Sequence, residues 1–85
     1  MSLVYRWLLD EEAYGILRYL TRGRRAAIER ALDRLGANPF TEPSFIAFDA
    51  DGEEIFHFFV SGHVIVYHVD HAVRRILVYE IYRVR

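Results

Sequence analysis

The hydrophobic pattern changes period once along the chain. From Leu9 to Leu35 apolar residues return every three or four positions, and from Phe45 to Tyr82 they return at every second. Leu9, Ala13, Ile16, Leu17 and Leu20 form one helical stripe. Asp10, Glu11 and Glu12 open it, three acids that suit the positive end of a helix dipole. Thr21-Arg22-Gly23 breaks that helix. Ile28, Ala31, Leu32 and Leu35 form a second stripe over about residues 24–35, stopped by Gly36 and Asn38-Pro39. A short turn between two helices makes an αα-hairpin. Ahead of it, Leu3–Leu8 carries Val4, Tyr5 and Trp7 and reads as a strand. After Pro43 come strands over 44–49, 53–60, 63–70 and 74–84, separated by Asp51-Gly52, Ser61-Gly62 and a reversal near His71-Ala72. The expected fold is α+β in a single domain, 1–85. A strand and an αα-hairpin precede an antiparallel β-meander, with the helices packed on one face of the sheet.

Two-residue loops at both marked turns set the register. They put Phe48 opposite Ile55, Ile46 opposite His57, Phe59 opposite Val64 and His57 opposite Val66. Ile46, Phe48, Ile55, His57, Phe59, Val64, Val66 and His68 then share one face. Phe45, Ala47, Phe56, Phe58, Val60, Ile65, Tyr67 and Val69 share the other. In the last strand Leu77, Tyr79 and Ile81 alternate with Ile76, Val78 and Tyr82. One αα-hairpin covers one face, so the other is left for a partner. The residues expected to bind another polypeptide are Ile46, Phe48, Ile55, Phe59, Val64, Val66, Leu77 and Tyr79. The partner is either a segment that orders on binding or a second copy of the chain.

Composition narrows the chemistry. With no cysteine among 85 residues there is neither a disulfide framework nor a thiolate site. No apolar run nears the ~18 residues of a membrane span, and the first residues lack a signal-peptide pattern, so no membrane role and a cytoplasmic location are expected. The net charge of −1 hides an asymmetry: residues 39–73 contain no Arg or Lys, and every basic residue elsewhere is Arg. Arg22, Arg24 and Arg25 cluster between the helices and are the nucleic-acid candidates, against the plainer reading of a solvated loop. The four histidines do not converge by strand alternation, so no metal is expected. No phosphate loop, Ser/His/Asp set or other cofactor motif is present, and no cofactor is expected. Alternation places His57 and Arg83 on one face, where an imidazole base and a phosphate clamp would be the candidate catalytic pair.

The order of elements, with three short motifs, resembles the RelE/ParE toxin superfamily. The helix end Arg30-Ala31-Leu32-Asp33-Arg34-Leu35-Gly36-Ala37-Asn38-Pro39 is similar to that family's LxxLxxNP pattern. Gly62-His63-Val64-Ile65-Val66-Tyr67-His68-Val69 is similar to its GxRxxYxV strand, and Tyr79-Glu80-Ile81-Tyr82-Arg83 to its last strand. The resemblance implies the toxin half of a toxin–antitoxin pair of the plasmid-stabilisation type, held silent by a cognate antitoxin. It implies a ribosome-bound mRNA or DNA gyrase as target. Ribonuclease members activate a ribose 2′-hydroxyl and stabilise the developing phosphate charge with basic residues on the exposed sheet face. Here Val64 stands in the place of the motif's Arg, Ile55 and His57 stand where basic residues are common, and Ile81 stands where Gly is common. Arg83 matches. The resemblance therefore implies weak mRNA interferase activity at best, centred on His57 and Arg83. An inert, dimeric interaction module of the same fold is the further alternative.

Overall fold

The computed structural model describes residues 4–84. Its elements are β1 (Arg6–Leu9), α1 (Glu11–Leu17), α2 (Arg22–Ala37), β2 (Phe45–Phe48), β3 (Glu54–Val60), β4 (His63–Asp70) and β5 (Arg75–Arg83). Leu3, the expected start of the first strand, lies outside the described residues.

Side-chain caps set the helix boundaries. The Asp10 carboxylate accepts the Ala13 N–H at 3.1 Å, satisfying a free donor of the first turn of α1. That helix ends at Leu17, earlier than its apolar stripe. Thr21 is extended and caps α2, its hydroxyl accepting the Arg24 N–H at 3.4 Å. α2 therefore starts at Arg22, ahead of the expected position, with Gly23 inside its first turn. Ile28, Ala31, Leu32 and Leu35 are its buried face, as the helical spacing requires.

The sheet order is β1-β5-β4-β3-β2. β2 to β5 form the expected antiparallel meander, and β1 adds to β5 in parallel, pairing Trp7 with Ile76 and Leu9 with Val78. The helices lie on one face. Ala13, Leu17, Ile28, Leu32 and Leu35 pack there with Ile65, Tyr67, Val69, Ile76, Val78 and Ile81. β4 is the central strand of the five and is buried along most of its length. The end of α2 is tied to the start of β1, where Tyr5 donates its N–H to the Gly36 carbonyl at 2.8 Å.

The second hairpin has the expected loop. Ser61 and Gly62 both take positive φ, 51° and 74°, and Val60 faces His63 as in a two-residue type I′ turn. The first hairpin differs. Its loop has three residues, 50–52, closed by Gly52 N–H to Asp49 C=O and Asp49 N–H to Glu53 C=O, each at 3.0 Å. The Asp49 carboxylate also accepts the N–H groups of Asp51 at 2.8 Å and Glu53 at 3.0 Å, and Gly52 takes φ 80°. One extra loop residue slips β2 by one position, so Phe45 pairs with His57 and Ile46 with Phe56. Ile46 and Phe48 consequently leave the face of Ile55 and His57, and Phe45 and Ala47 join it.

A β-bulge makes the second correction. Val66 pairs with Glu80 but Tyr67 with Val78, which leaves Tyr79 unmatched. Beyond it the alternation of β5 inverts. Ile81 enters the helix-side core, Glu80 and Tyr82 move to the open face, and Arg83 is carried to the helix side opposite His63.

Candidate functional site

The face away from the helices is the candidate site. Phe45, Ile55, His57 and Phe59 lie on it from β2 and β3, Val64, Val66 and His68 from β4, and Leu77, Glu80 and Tyr82 from β5. Its floor is closed by the sheet's own side chains. Val64, between Phe59 and Tyr82, is 1% exposed, and Val66, between His57 and Glu80, is 8% exposed. These two valines, expected to touch a partner, are instead covered by their cross-strand neighbours. Ile55 and Leu77 are half-buried. The surface offered to a partner is aromatic: Phe45 at 46% and Phe59 at 55% exposure, with Tyr79 and Tyr82 across the sheet. Ile46 and Phe48 are also exposed, but on the helix side of the edge strand.

His57 lies beneath this aromatic layer. Phe45 stacks on its ring, with centroids 4.0 Å apart and planes 19° apart, and Phe59 meets Phe45 edge-on at 6.4 Å. The Nδ1 of His57 is buried and has no hydrogen-bond partner. A ring packed in this way serves as an apolar platform with one unused polar atom. His68 donates Nδ1–H to the Glu54 carbonyl at 3.2 Å. The strands β2, β3 and β4 carry no arginine or lysine, and Glu80 adds a carboxylate beside Val66. Tyr79, at the bulge, has its phenol pKa raised by burial first and then by the carboxylates of Asp49, Glu53 and Asp10.

The structure does not bring the expected catalytic pair together. His57 pairs with Val66 on the open face, and Arg83 pairs with His63 on the helix side, so the sheet lies between them. Arg22, Arg24 and Arg25 are exposed in the first turn of α2, in the helical layer and away from the open face. Phe45 and Tyr82 are the aromatic residues of this face that sequence alternation places on the other one. A signal for Phe45 exists in the chain: Asp49-Ala50-Asp51-Gly52 has Asp at the first and Gly at the fourth position of a type I turn, the pattern of a three-residue hairpin. No local signal marks the bulge that moves Tyr82.

No sequence-family model matches the chain, and no curated protein matches it in sequence. Solved structures do match its shape. A chain of the toxin–antitoxin complex RelBE2 from Mycobacterium tuberculosis superimposes with a TM-score of 0.77 at 14% identity, covering 94% of this chain and 98% of that one. The archaeal RelE–RelB complex from Pyrococcus horikoshii OT3 gives 0.78 at 14% identity, over 98% of this chain and 96% of that one. The chain has the RelE fold. The intact RelBE toxin–antitoxin complex from E. coli agrees, with a TM-score of 0.66 at 18% identity and coverage of 95% and 98%. Within the RelE fold of this chain, the strand that resembles GxRxxYxV is β4, and its Tyr67 is a core residue, 1% exposed.

Proposed function

We propose that the protein is the toxin component of a toxin–antitoxin pair and that its antitoxin covers the open sheet face. The observation that carries this reading is the end-to-end likeness to chains found in three toxin–antitoxin complexes. The aromatic layer of Phe45, Phe59, Tyr79 and Tyr82 supports it, since each of those residues keeps between 37% and 55% of its surface exposed. Covering the exposed half of one such side chain contributes about 1 kcal/mol, so a segment that orders across four of them gains about 4 kcal/mol toward its ordering cost.

The toxin acts on a macromolecular target without a ribonuclease centre at His57 and Arg83. Those side chains lie on opposite faces, and β2, β3 and β4 offer no cation to stabilise a pentavalent phosphate. The test is inducible expression alone and together with the neighbouring small reading frame. Growth arrest that the neighbour relieves, with the two products co-purifying, is the expected result. Messenger RNA integrity and plasmid supercoiling in the arrested cells then separate a ribosomal target from gyrase. Normal growth and no co-purifying neighbour would overturn the reading.

A further inference from the structure

On the helix side of the sheet, a cleft of ≈ 380 Å³ opens where the start of β4 and the end of β5 meet α1 and the first turn of α2. Its size is that of a small-ligand site. Ile16, Leu20 and Ile81 supply apolar lining. His63 lies in it at 3% exposure, the one buried polar or charged residue of the fold among the described residues. Its Nδ1 is 3.0 Å from the Ser61 carbonyl, which can only accept, so Nδ1 carries the hydrogen. Nε2 is then left as an acceptor, and no hydrogen bond to it is formed among the described residues.

Arg24 and Arg83 line the same cleft, from the first turn of α2 and the end of β5. That first turn holds no acidic residue. Arg22, Arg24 and Arg25 therefore add positive charge to the positive end of a 16-residue helix, an arrangement that costs helix stability unless an anion is bound nearby. Glu12 also lines the cleft, from α1. A bare anion would meet this carboxylate as well as the arginines. A purely apolar group would desolvate both signs of charge without pairing either. A ligand with a phosphate, several hydroxyl or amine donors and a flat apolar body satisfies every group present.

We propose that this cleft binds a nucleoside monophosphate. Arg24 and Arg83 hold its phosphate, Nε2 of His63 accepts from a ribose hydroxyl, and Glu12 accepts from a remaining donor. The base rests on Ile16, Leu20 and Ile81. The phosphate belongs either to a free nucleotide or to the 5′ end of a nucleic acid.

The experiment is an NMR titration of the full chain with AMP, adenosine, inorganic phosphate and a 5′-phosphorylated adenosine dinucleotide. AMP is expected to give saturable shifts at His63 and Ile81, with adenosine and phosphate each binding at least about tenfold more weakly. Arg24→Ala and Arg83→Ala change exposed side chains, so both variants should keep the native spectrum while weakening AMP about tenfold or more. Phe59→Asp, on the opposite face, should leave AMP binding unchanged. A dinucleotide that matches AMP makes a nucleic-acid end the source, and one that is excluded makes it the free nucleotide. Absence of saturable AMP shifts, or equal AMP affinity in both arginine variants, would overturn the proposal.

Discussion

Gly36 marks a close approach between the end of α2 and the residue before β1. A Cβ on it would stand 2.5 Å from the Tyr5 carbonyl oxygen, a backbone atom that cannot swing aside. Gly36→Ala should therefore pry the end of α2 from the start of β1 and lower stability by about 1–3 kcal/mol in urea unfolding. Gly23 is the control. It sits in the same helix with nothing within 4 Å of an added Cβ, so Gly23→Ala should raise stability by about 0.5–1 kcal/mol. A second residue-scale effect lies in the core. Burial pushes the Tyr67 phenol up to about 12 from its ordinary 10. The unfolded chain thus loses this proton at a lower pH than the folded one. Between pH 10 and about 12 the folded state binds more protons, and stability falls as pH rises through that window. Tyr79 acts with the same sign, through burial and its neighbouring carboxylates. Alkaline denaturation followed by circular dichroism should show the fall, and Tyr67→Phe should make it shallower.

At the scale of elements, the β2–β3 hairpin decides which aromatic residues face a partner. Asp49 holds its three-residue loop by accepting two backbone N–H groups, and Gly52 supplies the left-handed residue. Asp49→Ala leaves those donors to water and should cost about 0.5–1.5 kcal/mol in thermal or urea unfolding. Deleting Ala50 asks more. A two-residue loop restores the alternation in which Ile46 faces His57, and moves Phe45 off the open face. The contact between the Phe45 and His57 rings, at 4.0 Å, should then disappear from nuclear Overhauser spectra. If that contact survives the deletion, the loop is not what sets the register. The bulge at Tyr79 has the parallel role in β5, since one unmatched residue exchanges Ile81 for Tyr82 at the open face.

At the scale of the molecule, the two faces of the sheet have different chemistry. The open face is an aromatic surface over buried valines, with a carboxylate at Glu80. The helix side holds the arginines of α2 and Arg83. Partner binding should follow the first. Phe45→Asp combined with Phe59→Asp places two charges where a partner segment would lie, while Val66 keeps its cover from His57 and Glu80 and the helix-side core is untouched. The double variant should remain folded and lose the proposed antitoxin partner in pull-down by about 100-fold or more, roughly the cost of leaving two charges desolvated in an interface. On the proposed toxin reading, His57→Ala should leave growth arrest intact, because neither its own strand nor β2 and β4 beside it carry an arginine or lysine. A loss of toxicity in that variant with the fold preserved would restore a catalytic role for the imidazole.

Local features are legible in the sequence. The acidic start of α1 at Asp10, the buried stripe from Ile28 to Leu35, the Ser61-Gly62 turn and the meander all rest on bonds and dihedral preferences spanning a few residues. The Thr21 cap is not legible, since Thr21-Arg22-Gly23 reads as a helix break. The resemblance carried by Gly62, Tyr67 and the helix end at Asn38-Pro39 pointed to the fold that the structural likeness bears out. Tertiary structure alone decided the rest. The parallel addition of β1 to β5 joins residues nearly 70 positions apart, and no local signal encodes it. The bulge at Tyr79 answers the twist and packing of β4 on β5, so alternation from the turn misplaced Glu80, Tyr82 and Arg83. Alternation predicts Val64 and Val66 on an open face, because it gives a side chain's face and not what its cross-strand neighbours cover. Face is a property of one strand and its register, whereas burial depends on the whole sheet folded around it.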